Sequence, residues 1–387
     1  MDIDFSTFDR IIERRGTGSL KWARYEDRPV LPMWVADMDF RAAEPIIRAL
    51  QERVENGVFG YSVATAEPVN ALCGYLQRVH AVEATPEWLV WMPGMVPGLA
   101  MSAACAGQRG DAVMTCTPVY PPFLKVASDA GKELITVPLC RENDRDTFDF
   151  DAMEKAVTPG TRLFLLCNPH NPVGRVYSQQ ELEKLADFCV RHELWLCSDE
   201  IHCDLLLEPE TCPHFTCLKL DGPVRSRLVV LMAASKTYNV PGLGLSAAII
   251  PDTAARRRFQ AAKNTFVAET SPLGFAATAA AYSHCEPWRE TLCRYLRRNR
   301  DTLQAFLAAH CPQVTMPCIE ATYLAWLDVR SLGLSQPTAH FETHGLGLNN
   351  GADFGSPGFV RLNFGCPHSV LEEGLQRLGQ GVRAARG

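Results

Sequence analysis

"TRLFLLCNPHNPVG", residues 161–174, runs from a short apolar stretch straight into two Asn-Pro pairs. A continuous apolar run of this length, bounded by turn signals, reads as a strand buried on both faces. Asn-Pro pairs start turns. The same grammar repeats downstream. "SQQELEKLADFCVRH" (178–192) reads as a helix, opened by Ser178 and Glu181 at capping-box spacing. Its apolar face is Leu182, Leu185, Ala186, Cys189 and Val190. "ELWLCS" (193–198) and "RLVVLMAAS" (227–235) read as further strands. Upstream, "AVMTCTP" (112–118) and "KELITVP" (132–138) do the same, and "PGLAMSAACAG" (97–107) is a helix with a glycine stop. Strands alternating with helices predict an α/β fold with a mainly parallel central sheet.

The outer parts read differently. Residues 272–310 are helical in character, with a break near Pro287. "EATYLAWLDV" (320–329) and "GFVRLNFG" (358–365) suggest a smaller α+β unit, which the turn-rich first ~45 residues join. The expected division is a small domain from 1–45 and 285–387 around a large α/β domain at 46–284.

The chain has 387 residues with 38 Lys plus Arg against 44 Asp plus Glu, a formal charge of −6. That balance gives no electrostatic footprint for nucleic acid. The basic runs at 256–258 and 294–300 read as solvated helix faces. The first residues lack a basic n-region and an apolar h-region, and no apolar run approaches bilayer length, so a cytoplasmic, non-membrane protein is expected. The 15 cysteines show no C-x-x-C spacing, and several fall inside apolar periods as small hydrophobes. A zinc site could draw on Cys203, Cys212, His214 and Cys217, but the spacing fits no common ligand pattern, so no metal is expected.

The functional signal lies in the polar residues just past each strand. "RLFLLC" runs into "NPHNPVG", "LWLC" into "SDEIH", and "LVVLMAA" into "SKTYN". In open α/β sheets, ligands bind beyond the carboxyl ends of the strands. Asn168 and Asn171, Asp199 and His202, and Ser235 and Lys236 are thereby aimed at one crevice. Singly, each has an ordinary reading: a turn, an N-cap, a surface cation. Together they require compensation of buried charge, by each other or by a ligand. Pyridoxal phosphate (PLP) suits all three: its aldehyde takes a lysine amine and its pyridinium nitrogen an acidic partner. Lys236 would form the Schiff base, Asp199 hold the ring nitrogen protonated, and Asn171 bind the ring oxygen. The phosphate would sit at a helix N-terminus, offered by "WMPGMVPGLAM" at Gly94, Met95 and Val96, with a hydroxyl from Ser235. Tyr120, in "TPVYPPF", would stack on the ring or serve as a core tyrosine.

"NPHNPVGR", "SDEIHCDL" and "SKTYNVPGL", in this order and spacing, resemble the class I/II aminotransferase superfamily of fold-type I PLP enzymes. "DRIIERRGTGSLKW", "PMWVADMDF", "VFGYS", "EATYLAWLD" and "FVRLNFGCP" resemble its cystathionine β-lyase, or C–S lyase, branch. The resemblance implies catalytic roles for Lys236, Asp199 and Tyr120. It implies cofactor contacts from these and from Asn171, His202, Ser235, Met95, Val96 and Tyr61. Arg361, with Asn171 and Ala36, would bind substrate, the arginine clamping the α-carboxylate. Tyr61 would reach a neighbouring subunit's cofactor phosphate, which implies a homodimer with shared sites. Many aminotransferases carry a phosphate-binding arginine where this chain has Gly244. "GLGLNNG" (345–351) misses the dinucleotide pattern at Asn350. The implied activity is PLP-dependent α,β-elimination on cystathionine or related cysteine S-conjugates. An aminotransferase, and a silent binding protein on the same fold, are the alternatives.

Overall fold

The computed structural model describes residues 3–142, 144–263 and 267–385. At its centre is a seven-stranded sheet: β1 (Leu89–Met92), β2 (Ala112–Thr117), β3 (Glu133–Pro138), β4 (Thr161–Cys167), β5 (Trp195–Asp199), β6 (Leu228–Met232) and β7 (Ser246–Ile249). The spatial order is β1-β7-β6-β5-β4-β2-β3. Only β7 runs against its neighbours; β3-β2-β4-β5-β6 are parallel pairs. This is the predicted mainly parallel sheet. The central strands β4, β5 and β6 are buried almost throughout, which is why they read as unbroken apolar runs.

Register brings the strand ends into line. Cys167 pairs with Asp199, and Asp199 with Leu231. The chain therefore leaves all three strands at one edge of the sheet. The helix joining β4 to β5 spans Gln179–Arg191 and carries the full capping box of Ser178 and Glu181. Breaking that box by Ser178→Ala costs about 1 kcal/mol in such helices.

A smaller three-stranded antiparallel sheet holds β8 (Leu324–Asp328), β9 (Asn349–Asn350) and β10 (Phe359–Asn363), in the order β8-β10-β9. Leu31–Pro32 pairs in parallel with Leu346–Gly347, tying the N-terminal segment to this region. The helical stretch is Pro272–His284 followed by Glu286–His310, broken at Cys285 as the nearby proline predicts. A large apolar cluster spans both regions, from Phe8 and Met38 through Leu196 and Leu228 to Leu292, Leu362 and Leu371.

The basic run at 294–300 is a solvated face only in part: Arg294 is exposed, but the arginines after it are engaged. Arg300 is buried, donating to the Ile319 carbonyl at 3.0 Å and to Glu208 at 2.6 Å. Arg298 stacks on Tyr295 and Phe5, and Arg297 bonds the Leu207 carbonyl. Local periodicity could not show this, because the partners come from remote loops folded over the helix. Among the described residues, no helix is long and apolar enough to cross a membrane.

Candidate active site

The three predicted strand endings meet. β4 delivers Asn168 and Asn171, each followed by a cis proline peptide. β5 ends on Asp199, and β6 leads through Ala233–Ser235 to Lys236. Asn171, Asp199 and His202 are buried, while Lys236 keeps partial access through the crevice.

Lys236 Nζ donates to the Ala36 carbonyl at 2.7 Å, and the Tyr323 hydroxyl donates to the same oxygen at 2.9 Å. Desolvation lowers the Lys236 ammonium to a pKa of about 8, Arg361 adding to the effect while Asp37 and Asp199 oppose it. Such an amine is neutral for a useful fraction of the time near pH 8. Asp199 moves the other way. Burial lifts its carboxyl to about 7 against the Ile201 N–H, which donates to Oδ1 at 3.1 Å, and against the charge of Lys236. A cationic ring nitrogen beside it would reverse that shift.

Arg361, from β10, is buried in the crevice. Nη1 donates to Asn171 Oδ1 at 3.0 Å; Nη2 donates to Asn349 Oδ1 at 2.7 Å and to the Trp34 carbonyl at 3.1 Å. Its face lies over Phe354, 4.7 Å from the ring centroid. No acidic side chain is among these partners, and Nε is buried without any. Desolvation lowers its pKa to about 10. A buried guanidinium with polar neighbours and no counter-charge is matched to an incoming carboxylate. Arg361→Lys is expected to lower kcat/KM on the order of 10²-fold, mainly through KM, because the ammonium replaces a planar fork with one point charge. Initial rates over a substrate series measure the split.

The remaining predicted residues take distinct places. His202 is buried with Nδ1 unpartnered, and desolvation, with Lys236 and Arg361 nearby, lowers its pKa to about 3, so the ring is neutral. Tyr120 lies within the electrostatic reach of Asp199 and Arg361, its phenol pushed up mainly by burial. Met95 opens the helix Met95–Cys105, and Gly94 before it adopts φ +137°. Gly244 comes up against this same turn: a Cβ there would lie 3.3 Å from the Pro93 carbonyl, at φ +56°. An arginine at that position would have to adopt a left-handed backbone, so its absence belongs to the local geometry. Ser235 is half-buried beside Lys236. Tyr61 stands apart: it is fully exposed in the single chain.

Several site residues escaped the reading of the sequence: Tyr323, Asn349, Asp37 and the backbone of Trp34. The available signal was "WVAD", a polar interruption in an otherwise apolar stretch. The suggested zinc ligands do not assemble. His214 Nε2 pairs with Glu200 at 3.0 Å, and Cys212 lies against Arg145. Among the described residues, the metal-capable group is instead His80, Cys203 and Asp204, where Tyr75 and Thr237 already bond Asp204.

The residues fit PLP on the structure's own terms. An amine, a buried carboxyl, an unpartnered buried imidazole nitrogen and an unpartnered guanidinium nitrogen share one crevice beside a helix start. A seven-stranded, mainly parallel sheet with this constellation at its carboxyl edge is the fold-type I PLP architecture. The aminotransferase class I and II family profile matches residues 33–378, and the chain belongs to that family. The cystathionine beta-lyase PatB of Bacillus subtilis (strain 168) is 38% identical over 96% of this chain and 98% of the relative. The crystal structure of OvoB superposes with a TM-score of 0.94 at 41% identity, covering 97% of this chain and 98% of that one. Cystalysin from Treponema denticola, described as containing a pyridoxal 5'-phosphate cofactor, gives a TM-score of 0.92 at 30% identity, covering 97% and 98%.

Proposed function

We propose that this chain is a PLP-dependent carbon–sulfur β-lyase. Its reaction is α,β-elimination on cystathionine or related cysteine S-conjugates, releasing a thiol (homocysteine from cystathionine) and an enamine that one water hydrolyses to pyruvate and ammonia. The observation that carries the chemistry is the pairing, in one crevice, of a lysine amine held on the Ala36 carbonyl with a buried, counter-charge-free Arg361. The choice of elimination over amino transfer rests on the full-length likeness to PatB.

Bound PLP supplies an electron sink for a carbanion at the substrate Cα. Lys236 would hold the cofactor aldehyde, Asp199 its ring nitrogen and Asn171 its ring oxygen. Asn171's carboxamide oxygen is taken by Arg361, so its nitrogen is the donor left for that ring oxygen. The amides of Met95 and Val96, with the Ser235 hydroxyl, would hold the phosphate, and Tyr120 would cover the ring. Arg361 grips the α-carboxylate, which fixes the Cα–H bond relative to Lys236. The free amine of Lys236 takes the Cα proton as general base. The β-carbon–sulfur bond then breaks with its electron pair going to sulfur. The Lys236 ammonium is placed to return a proton to the departing thiolate. His202, neutral at working pH, donates or accepts a hydrogen bond without adding charge.

A homodimer in the cytoplasm fits this reading. Val58, Phe59, Tyr61 and Val63 form an exposed apolar run, a surface suited to a second copy that would receive Tyr61 at its cofactor phosphate. Cys167, Cys189 and Cys197 are buried as small hydrophobes in the strands and helix of the large sheet, a use of cysteine suited to a reducing compartment. The separate small sheet supports a small domain of 1–45 and 285–387 beside a large domain of 46–284.

The test is incubation with cystathionine in the absence of any keto acid. Pyruvate and free thiol in equal amounts are expected. Amino transfer to an added keto acid, with no pyruvate formed, would make the chain an aminotransferase instead.

A further inference from the structure

Residues 33–40, "MWVADMDF", cross the crevice and are held from several sides. Asn363 Nδ2 donates to the Val35 and Asp37 carbonyls at 2.6 and 2.8 Å. Asn239 accepts from Met38 N at 2.9 Å and donates to the Met38 and Phe40 carbonyls at 2.9 and 2.8 Å. With Arg361 on Trp34 and Tyr323 on Ala36, the segment's backbone is fixed across its length.

Its two carboxylates are held separately, by a pair of cations that the elimination chemistry does not use. Arg14 pairs with Asp37 through Nη2 and with Asp39 through Nη1, the latter at 2.5 Å. The buried Lys21 pairs with Asp39 at 2.5 Å and donates to the Asp37 carbonyl at 3.3 Å. Burial alone would raise the Asp39 carboxyl; Lys21 and Arg14 overturn this and hold it below the usual range. Asp37 adjoins Ala36, whose carbonyl receives the Lys236 amine.

We propose that Arg14 is a positioning residue for Lys236. By pairing with Asp37 and Asp39 it fixes the segment that presents the Ala36 carbonyl, and it offsets the Asp37 charge one residue away from that carbonyl. This rests on the reading of Lys236 as the cofactor-binding base.

The other groups facing Lys236 are Arg361 from β10, Asp199 from β5, His202 after β5 and Tyr323 before β8. His202 is neutral, and burial pushes the Tyr323 phenol far up, so it is neutral as well. The charges that bear on the amine are therefore Asp37 and Asp199 against Arg361. Arg14 sets how much of the Asp37 charge is felt.

The test uses the PLP-loaded full chain and reads the pH midpoint of the visible band of the lysine-linked cofactor. Arg14→Gln is expected to raise the midpoint by roughly 0.5–1 pH unit, since the bared Asp37 carboxylate favours the protonated nitrogen. Asp37→Asn is expected to lower it. The double variant should fall below Arg14→Gln, and Arg14→Lys should return most of the way to wild type. Opposite signs separate an electrostatic positioning role from a purely structural one, which would move both variants alike. Midpoints that coincide, or shift in the same direction, overturn the proposal. Should Arg14→Gln fail to fold, Asp37→Asn still decides: an unchanged or raised midpoint overturns it. A wild-type chain that takes up no PLP would remove the underlying reading of Lys236; normal uptake with unmoved midpoints removes only the role of Arg14.

Discussion

Lys236→Ala is expected to abolish pyruvate release from cystathionine, a loss on the order of 10⁴-fold or more. Two functions fall together. The covalent anchor for the cofactor goes, and so does the base that takes the Cα proton, a role worth roughly 10²–10⁴-fold alone. Among the described residues, the crevice offers no substitute. His202 is held neutral but is already committed by burial to a pKa of about 3, too weak a base for the step. Tyr120 and Tyr323 have phenols pushed upward, so neither supplies an anion near neutrality. The measurement is pyruvate formation with matched thermal melts, since the lysine stem removed lies at the crevice and not in the packed core. Borohydride followed by denaturation should leave cofactor bound to wild type and none bound to the variant. An added small amine should recover part of the rate, because it restores a base where Nζ was. The same amine titrates: aldehyde capture by cofactor-free wild type should rise through about pH 8, well below the ordinary lysine range near 10.4. Pyruvate release undiminished in the alanine variant would end the assignment.

The residues behind that prediction were legible in the sequence for a local reason. A strand buried on both faces has to be largely apolar, so polar residues at or just past its end are conspicuous, as at Asn168, at Ser198 and Asp199, and at Ser235 and Lys236. The capping box at Ser178 and Glu181 was legible for the same reason, since both partners lie within one turn. What could not be read was whatever depends on closure between distant segments. Ala36 and Lys236 are 200 positions apart, and Arg361 and Asn171 190. Arg361 sits in "FVRLN", where alternation alone would turn it to solvent; the fold buries it because residues 34–37 and 349 close over β10. Arg14, Lys21, Asp37 and Asp39 look like ordinary surface charge along the chain. They form one cluster, with Lys21 and Asp39 buried and Arg14 and Asp37 half-buried, only once the N-terminal segment crosses the crevice. The misread run at 294–300 has the same origin, with Arg300 buried by residues 208 and 319.

Asp199→Asn separates function from stability, and its two effects have opposite signs. Asparagine cannot hold a ring nitrogen in its protonated form, so elimination is expected to fall by on the order of 10²–10³-fold, as for loss of a preorganised electrostatic partner. In the cofactor-free chain the same carboxylate is a burden. Its folded-state pKa is about 7, against about 3.9 in an unfolded chain, so the folded state keeps a proton that the unfolded state gives up. The destabilisation therefore begins as pH rises above about 4 and is complete above about 7, with an upper bound of about 4 kcal/mol from the size of the shift. Asparagine is uncharged throughout and carries no such dependence. Cofactor-free wild type and Asp199→Asn should thus melt within a degree or two of each other at pH 4.5, and the variant should melt several degrees higher at pH 8. Loading with PLP should reverse the order at pH 8, because the ring cation compensates the carboxylate in wild type alone. Thermal melts at the two pH values, with and without PLP, read all four states. A cofactor-free variant less stable than wild type at pH 8 would mean that the Asp199 carboxylate is compensated within the protein, and that the crevice does not hold its charge in reserve for a cationic ligand.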